Sequence, residues 1–310
     1  MDEMLEKFGV KRWRGFDSRE VFPTRATRRV GEMIQEAVRR QAWVAIRGEA
    51  GSGKTTAVGA ALDGSDATVI RPEALETGRV CIGHILEAVL RELSSEGPRR
   101  SIEARCHQAR RVLGEAARKK RIVLVLEDAH YLHRQTLTAL KRLREMEWAG
   151  KTRLLGVVLV GLPELSATLR ALPEAGLRCR TVAIDGMTKQ EAARYVEWLG
   201  LAPAFAPGAL DALVASAQRP LEIQASILDA AERAYYAGAK KIGIEHVVGD
   251  SVRRRVITEG ISEVARAARV SKATVHKFAH GGEVGQVSEE RIRAALRRAQ
   301  DSPAGKEAVA

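Results

Sequence analysis

The residues with the clearest capacity for chemistry are Lys54 and Thr55, which close the segment Gly48-Glu-Ala-Gly-Ser-Gly-Lys-Thr. The spacing fits GxxxxGK[ST], and the residue types are those a phosphate cradle needs. Gly48, Gly51 and Gly53 let successive backbone N–H groups face phosphate oxygens. Lys54 is long enough to reach the β and γ phosphates of a nucleoside triphosphate, and the Thr55 hydroxyl is a ligand for Mg²⁺. Ser52 and Thr56 complete the candidate nucleotide contacts, and a helix starting at Lys54 would turn its positive end toward the phosphates. The ligand set implied is ATP with Mg²⁺.

A second acidic site stands at Glu127-Asp128-Ala-His130, directly after the apolar run Ile122-Val-Leu-Val-Leu126. A carboxylate at the end of a buried strand can hold the hydration shell of Mg²⁺, and the next one can orient an attacking water. Glu127 takes the first role, through water, and Asp128 the second. His130 and His133 flank the pair, and no further ligand set points to a metal other than Mg²⁺.

Positioning these groups requires strands that end at the two sites. Apolar runs at 43–47, 67–71, 122–126, 154–160 and 180–184 predict buried parallel strands. They alternate with predicted helices at 54–62, 80–93, 102–119, 134–147 and 163–172, which gives a doubly wound α/β domain over residues 24–185. An N-terminal arm covers 1–23. After Gly186 the strands stop, and helices predicted at 188–199, 207–217 and 220–237, with another starting near Ile244, form an all-helical lid over 186–250. Thr188 and Glu191 have the spacing of a capping box. A short basic helical domain is expected over 251–300, and the tail 301–310 reads as disordered.

The 310 residues carry a formal net charge of +12 and a sequence pI of about 9.9, which favours a polyanionic partner. Cys81, Cys106 and Cys179 lack metal-ligand spacing and read as reduced core thiols. The first residues lack the apolar core of a signal peptide, and no apolar run approaches the roughly 20 residues that span a bilayer. A cytoplasmic protein with no membrane role is expected, and nucleic acid is the favoured anion.

Taken together, the leader FPTRATRRVGEMIQEAVRRQAWVAIRGEAGSGKTTAV, the segment LVLEDAHYLHRQTLTALKRLREM and the segment LLGVVLVGLPELSATL resemble the AAA+ ATPases. The narrower likeness is to the group that contains phage Mu transposition protein B, TniB, TnsC and the secretion ATPase ExeA. It covers roughly residues 20–250. The resemblance implies a P-loop AAA+ parallel sheet flanked by helices, followed by a helical lid. It also implies an Arg reaching into the neighbouring subunit's ATP site. Arg170, Arg178 and Arg180 lie in the matching region, with Arg178 or Arg180 favoured. A lid Arg at the γ-phosphate corresponds to Arg219 in Gln218-Arg219-Pro220. Two departures point to slow hydrolysis. Glu127-Asp128 inverts the usual Asp-Glu order, and Val160-Gly161-Leu162 shows no polar residue after the fourth strand.

Residues 261–278 read as helix, tight turn, helix, with Val264, Ala265, Val275 and Phe278 on inner faces and Val270 in the turn. Ser271 would cap the second helix, leaving Lys272, Thr274, His276 and Lys277 accessible to DNA. The segment resembles the helix-turn-helix of LacI-type regulators, except that Arg269 stands where Gly is usual, so a different turn is expected. Residues 251–300 hold eleven Lys/Arg and five Asp/Glu, leaving +6. Arg99-Arg100, Arg118-Lys119-Lys120-Arg121 and Arg253-Arg254-Arg255 could track a DNA backbone or be solvated helix ends. Lys11-Arg12-Trp13-Arg14 could pack on a neighbour or on DNA, with Trp13 equally a core anchor. The family resemblance implies a prokaryotic or phage-encoded protein that oligomerises on double-stranded DNA as a ring or helical filament. Its role there is transposition target selection and activation of a transposase. The alternatives are a nucleotide-switched transcription regulator, an assembly ATPase of the ExeA kind and a helicase loader.

Overall fold

A computed structural model describes residues 2–16, 20–72, 80–171, 179–248, 256, 260–279 and 284–301. The chain forms two compact units. One spans residues 18–186, and the other takes in 187–310 together with 1–17. The N-terminal segment therefore groups with the helical unit. Its first element is α1 (Asp2–Lys7).

The unit 18–186 contains α2 (Arg25–Arg40), β1 (Trp43–Arg47), α3 (Lys54–Asp63), β2 (Ala67–Ile70), α4 (Ile82–Leu93), α5 (Ile102–Lys119), β3 (Arg121–Leu126), α6 (Arg134–Arg144), β4 (Gly156–Gly161), α7 (Leu165–Arg170) and β5 (Cys179–Ala183). The strands form one parallel sheet in the order β2-β3-β4-β1-β5. Successive residues of a strand face opposite sides, and here both sides are apolar. Trp43, Ala45, Leu124, Leu126, Val157 and Leu159 share a core with residues of α4, α5, α6 and α7. Val44, Ile46, Val123, Val125, Val158 and Val160 share the other core with α2 and α3. Each fully buried Leu, Ile or Val side chain contributes about 1.5–3 kcal/mol, so the two faces together drive the fold.

Several predicted ends shift, each for a local reason. α6 stops at Arg144, ahead of a turn in which Trp148 and Lys151 exchange backbone hydrogen bonds of 3.0 and 2.9 Å. β4 starts at Gly156, where a Cβ would lie 2.4 Å from the Ala37 carbonyl oxygen, so the close approach to α2 needs glycine. Cys81 caps α4, so that helix begins at Ile82. Cys81 is exposed, which corrects its reading as a core thiol. Cys106 and Cys179 are partly buried, and burial pushes the Cys179 thiol up to about 12.

In the second unit, α8 (Lys189–Trp198) carries the expected capping box from Thr188 and Glu191. α9 (Ala209–Ser216), α10 (Pro220–Tyr236) and α11 (Ile244–Val248) follow. The N-terminal segment packs within this unit. Leu5, Phe8 and Val10 are buried, and the Arg14 amide donates to the Leu199 carbonyl at 2.8 Å. The Arg14 side chain also donates to the Trp198 carbonyl at 3.0 Å. Arg14 is thus engaged inside its own chain, while Lys11 and Arg12 are exposed. Farther on, α12 (Ile261–Ala268), α13 (Lys272–Ala279) and α14 (Gln286–Asp301) enclose a cluster of their own, including Val264, Val275, Phe278, Ile292 and Leu296. Arg269 takes φ 54 at the end of α12. A different turn was expected there. Instead the Arg adopts the left-handed conformation that glycine favours, at a cost of about 1 kcal/mol.

Candidate nucleotide site

The carboxyl ends of neighbouring strands build the site. β4 lies between β1 and β3, so the loop leaving β1 and the acidic turn leaving β3 sit on either side of the end of β4. Gly48 closes the first junction, its N–H donating to the Gly161 carbonyl at 3.2 Å. A side chain at Gly48 would place Cβ 2.4 Å from the Ile184 carbonyl oxygen and 2.9 Å from Ser52 Oγ. Only glycine fits there. Gly51 and Gly53 take φ 73 and 86, which turns the loop into the first turn of α3. No side chain caps that helix end, so its leading N–H groups face the loop.

Within the cradle, the Lys54 ammonium donates to the Gly48 and Glu49 carbonyls at 2.9 and 2.8 Å. Burial holds its pKa below the ordinary lysine value, against the opposing pull of Asp128, Glu127 and Glu49. Ser52 is buried, and its hydroxyl has no hydrogen-bond partner among the described residues. Thr56 follows in the first turn of α3 and is exposed. The Thr55 hydroxyl donates to Glu127 Oε2 at 3.1 Å. Two segments 72 residues apart in sequence are brought together by that bond. Burial raises the Glu127 carboxyl above its ordinary value, and Asp128 adds to the rise. Thr55, Arg71 and Lys54 oppose it. A half-buried carboxylate that disfavours its own charge is suited to a cation.

Asp128 is exposed and adopts φ 48, so the chain turns sharply into the short 3-10 turn Ala129–Tyr131. That turn carries His130 to the end of β4, where its Nδ1 accepts from the Leu162 amide at 3.4 Å. Gly161 leaves room for it, since a Cβ there would lie 3.1 Å from the His130 amide nitrogen. His130, in the turn that follows β3, is thus a polar side chain beside the end of β4. The sequence reading noted His130 only as a flanking residue, and the signal that could have found it is the glycine ending β4. His130 Nε2 is buried with no hydrogen-bond partner among the described residues.

The remaining candidates are placed as follows. Arg180, on β5, is exposed and pairs with Glu36 of α2. Arg170 ends α7 and is exposed. Arg178 lies outside the described residues. Arg219 belongs to the helical unit, where it precedes α10 and pairs with Glu222, holding that carboxyl below its ordinary value. Ser271 caps α13 as expected, accepting from the Thr274 amide at 3.0 Å, and its hydroxyl is 2.7 Å from that of Thr274. Lys272, His276 and Lys277 are exposed, and Thr274 is half-buried.

These residues fit a magnesium nucleotide. The orphaned Ser52 hydroxyl, the glycine-lined loop and the Thr55–Glu127 pair supply phosphate donors beside an oxygen ligand set. Gly48, Gly51, Ser52, Gly53, Lys54 and Thr55 would hold the phosphates, with Thr55 and Glu127 toward Mg²⁺.

Comparison with known proteins agrees with this fold. Residues 36–169 match the family model described as AAA domain. No protein with a curated description matches the chain in sequence. Among solved structures, Cdc6p from Pyrobaculum aerophilum superposes with a TM-score of 0.55 at 15% identity, covering 92% of this chain and 89% of that one. The Aeropyrum pernix ORC2 protein, solved as ADPNP-ADP complexes, gives 0.52 at 13% identity over 93% and 98% of the two chains. The Aeropyrum pernix ORC1 protein in complex with DNA gives 0.52 at 16% identity over 92% and 85%. The sheet and its flanking helices are those of an AAA+ P-loop fold, with a helical C-terminal region after it.

Proposed function

We propose that the chain binds and slowly hydrolyses ATP, and that its nucleotide state governs binding to double-stranded DNA. The observation that carries the first half is the 3.1 Å bond between Thr55 and Glu127, which joins the phosphate loop to the acidic turn. Bound Mg²⁺ would neutralise phosphate charge there. Lys54 reaches the outer phosphates, Ser52 and the loop amides orient them, and Asp128 orients the attacking water and takes its proton. Asp128 is exposed and one methylene shorter than glutamate, so its grip on that water is loose and turnover is slow. Among the described residues no helix is long and apolar enough to cross a membrane.

The DNA half rests on chemistry at the C-terminus. Ser271 caps a helix whose exposed Lys272, His276 and Lys277 suit phosphates and base edges, and residues 251–300 carry +6. The ORC1 neighbour was solved in complex with DNA, which fits the same partner. We read the protein as an oligomer on DNA, ring or filament, with Arg178 or Arg180 completing a neighbour's site and Arg219 approaching the γ-phosphate. The cellular role read from the sequence resemblance is transposition target selection with recruitment of a transposase.

The test is DNA binding by wild type and Lys54→Ala without nucleotide, with ADP and with a non-hydrolysable ATP analogue, imaged by negative-stain microscopy. Assemblies on random-sequence duplex that need the analogue and vanish in the variant support the reading. Discrete, sequence-selective binding without assembly would replace it with a nucleotide-switched transcription regulator.

A further inference from the structure

We propose that the edge of the sheet opposite the phosphate loop is a second contact surface for the phosphate backbone of duplex DNA. The proposal rests on the DNA reading above for its choice of ligand. Three basic segments distant in sequence meet at this edge. Arg39 and Arg40 end α2, three residues ahead of β1. Arg118 and Lys119 end α5, Lys120 follows and Arg121 opens β3. Lys151 and Arg153 precede β4. β3, β4 and β1 are consecutive in the sheet, and the pairings Val123↔Gly156 and Trp43↔Val157 bring all three approaches to one end.

Arg39, Arg40, Arg118, Lys119, Lys120, Arg121 and Arg153 are exposed, and among the described residues none of them forms an ion pair. Asp66, just ahead of β2, is the acidic residue that the Ala67↔Arg121 pairing brings beside them. Last-turn Arg and Lys are commonly explained by the negative end of a helix. That accounts for Arg39, Arg40, Arg118 and Lys119, and also for Lys120 at the C-cap of α5 and Lys151 at the carbonyl of its last turn, but not for Arg121 or Arg153, which stand outside helices.

The turn that delivers Lys151 and Arg153 is pinned in place. Trp148 packs on α5 against Gly114, Arg110 donates to the Glu147 carbonyl at 2.9 Å, and Lys151 donates to the Ala117 carbonyl. Ala149 and Arg153 both hold positive φ, at 48 and 55. The hairpin turn between Trp148 and Lys151 itself requires positive φ at Ala149 and Gly150, whereas the positive φ of the exposed Arg153 lies outside that turn.

Duplex DNA suits this edge better than a protein or a lipid surface. None of the exposed large hydrophobic residues among those described lies on it, whereas protein interfaces and membrane surfaces call for apolar or aromatic anchors. Strands spaced about 4.8 Å apart make the β3-to-β1 band about 10 Å wide, within the range of duplex groove widths.

The experiment measures affinity of the full chain for a random-sequence duplex by fluorescence anisotropy, across a salt series, with a non-hydrolysable ATP analogue present. One variant carries Arg118→Gln, Lys119→Gln, Lys120→Gln and Arg121→Gln. A second, Arg153→Gly, removes one charge and relieves the positive φ, so it folds at least as well. Analogue binding equal to wild type shows that each variant is folded. The four-site variant should lower the slope of log affinity against log salt by about 2 or more and weaken binding at least about tenfold at physiological salt. Arg153→Gly should lower the slope by about 1. Wild-type binding with both variants unchanged in slope overturns the surface and leaves the DNA reading standing. A wild type that binds no duplex in any nucleotide state overturns both. Loss of self-assembly at unchanged slope would make the edge a protein contact and also overturns the proposal.

Discussion

Thr55 and Glu127 set the behaviour of the site with pH. A raised carboxyl pKa means that the folded chain holds the Glu127 proton more tightly than the unfolded chain does. The ionised form therefore costs stability at neutral pH, and the cost disappears as pH falls below the ordinary carboxylate value. Glu127→Gln keeps an acceptor for the Thr55 hydroxyl and removes the half-buried charge. It should melt above wild type at pH 8 without nucleotide, with the gap closing toward pH 4 in thermal scans. A gap that is absent or widens on acidification would refute desolvation of the carboxylate as the cause. The same variant should lose the Mg²⁺-dependent part of its ATP affinity. Asp128 has a different task, because it is exposed and outside the Thr55 bond. Asp128→Asn should bind ATP as wild type does and turn over about 100-fold more slowly, within the range for loss of a general base. Phosphate release with normal kcat would remove Asp128 from that role.

At the scale of elements, the contact of α5 with the turn after α6 is the one most exposed to a single methyl group. Gly114 lies in the interior of α5, where alanine would ordinarily stabilise by about 1 kcal/mol. Its Cβ would fall 2.0 Å from Trp148 Cγ and 2.5 Å from Trp148 Cβ, close enough to expel the indole. Overpacking of this kind costs about 1–3 kcal/mol or more, so the clash wins. Gly114→Ala should lower stability by about 1–2 kcal/mol in urea unfolding, and an unchanged midpoint would show that Trp148 moves freely. The sequence made some of these elements legible and hid others. Continuous apolar runs announced β1, β3 and β4 because strands buried on both faces need no polar alternation. Lys54, Thr55 and Glu127 were legible because a phosphate loop and a strand-end carboxylate are local patterns. The packing of Leu5, Phe8 and Val10 was not, since a helix of six residues has too few turns to show a period. The bond from the Leu162 amide to His130 was hidden for another reason: it depends on which strands become neighbours, and spacing along the chain does not record that.

On the scale of the whole molecule, positive charge is found in both units. The chain carries +12, and residues 251–300 account for +6 of it. The edge bearing Arg39, Arg40, Arg118, Lys119, Lys120, Arg121, Lys151 and Arg153 belongs wholly to the unit 18–186. Helices α12 to α14 bury their own cluster, distinct from the two cores that flank the sheet. Removal of residues 251–310 should therefore leave ATP-analogue binding intact, because every phosphate-loop and acidic-turn residue lies in the unit 18–186. DNA affinity should fall, since the capped helix with Lys272, His276 and Lys277 is lost. It should not vanish, and the binding that remains should stay steeply dependent on salt, as expected for contacts to phosphate alone. Sequence preference, if the full chain has any, should disappear with the C-terminal helices, because phosphate contacts position a protein without reading bases. Anisotropy titrations of both forms against two unrelated duplexes, at three salt concentrations, separate these effects. Complete loss of binding would assign all DNA contact to the C-terminal helices, and unchanged binding would remove them from the interface.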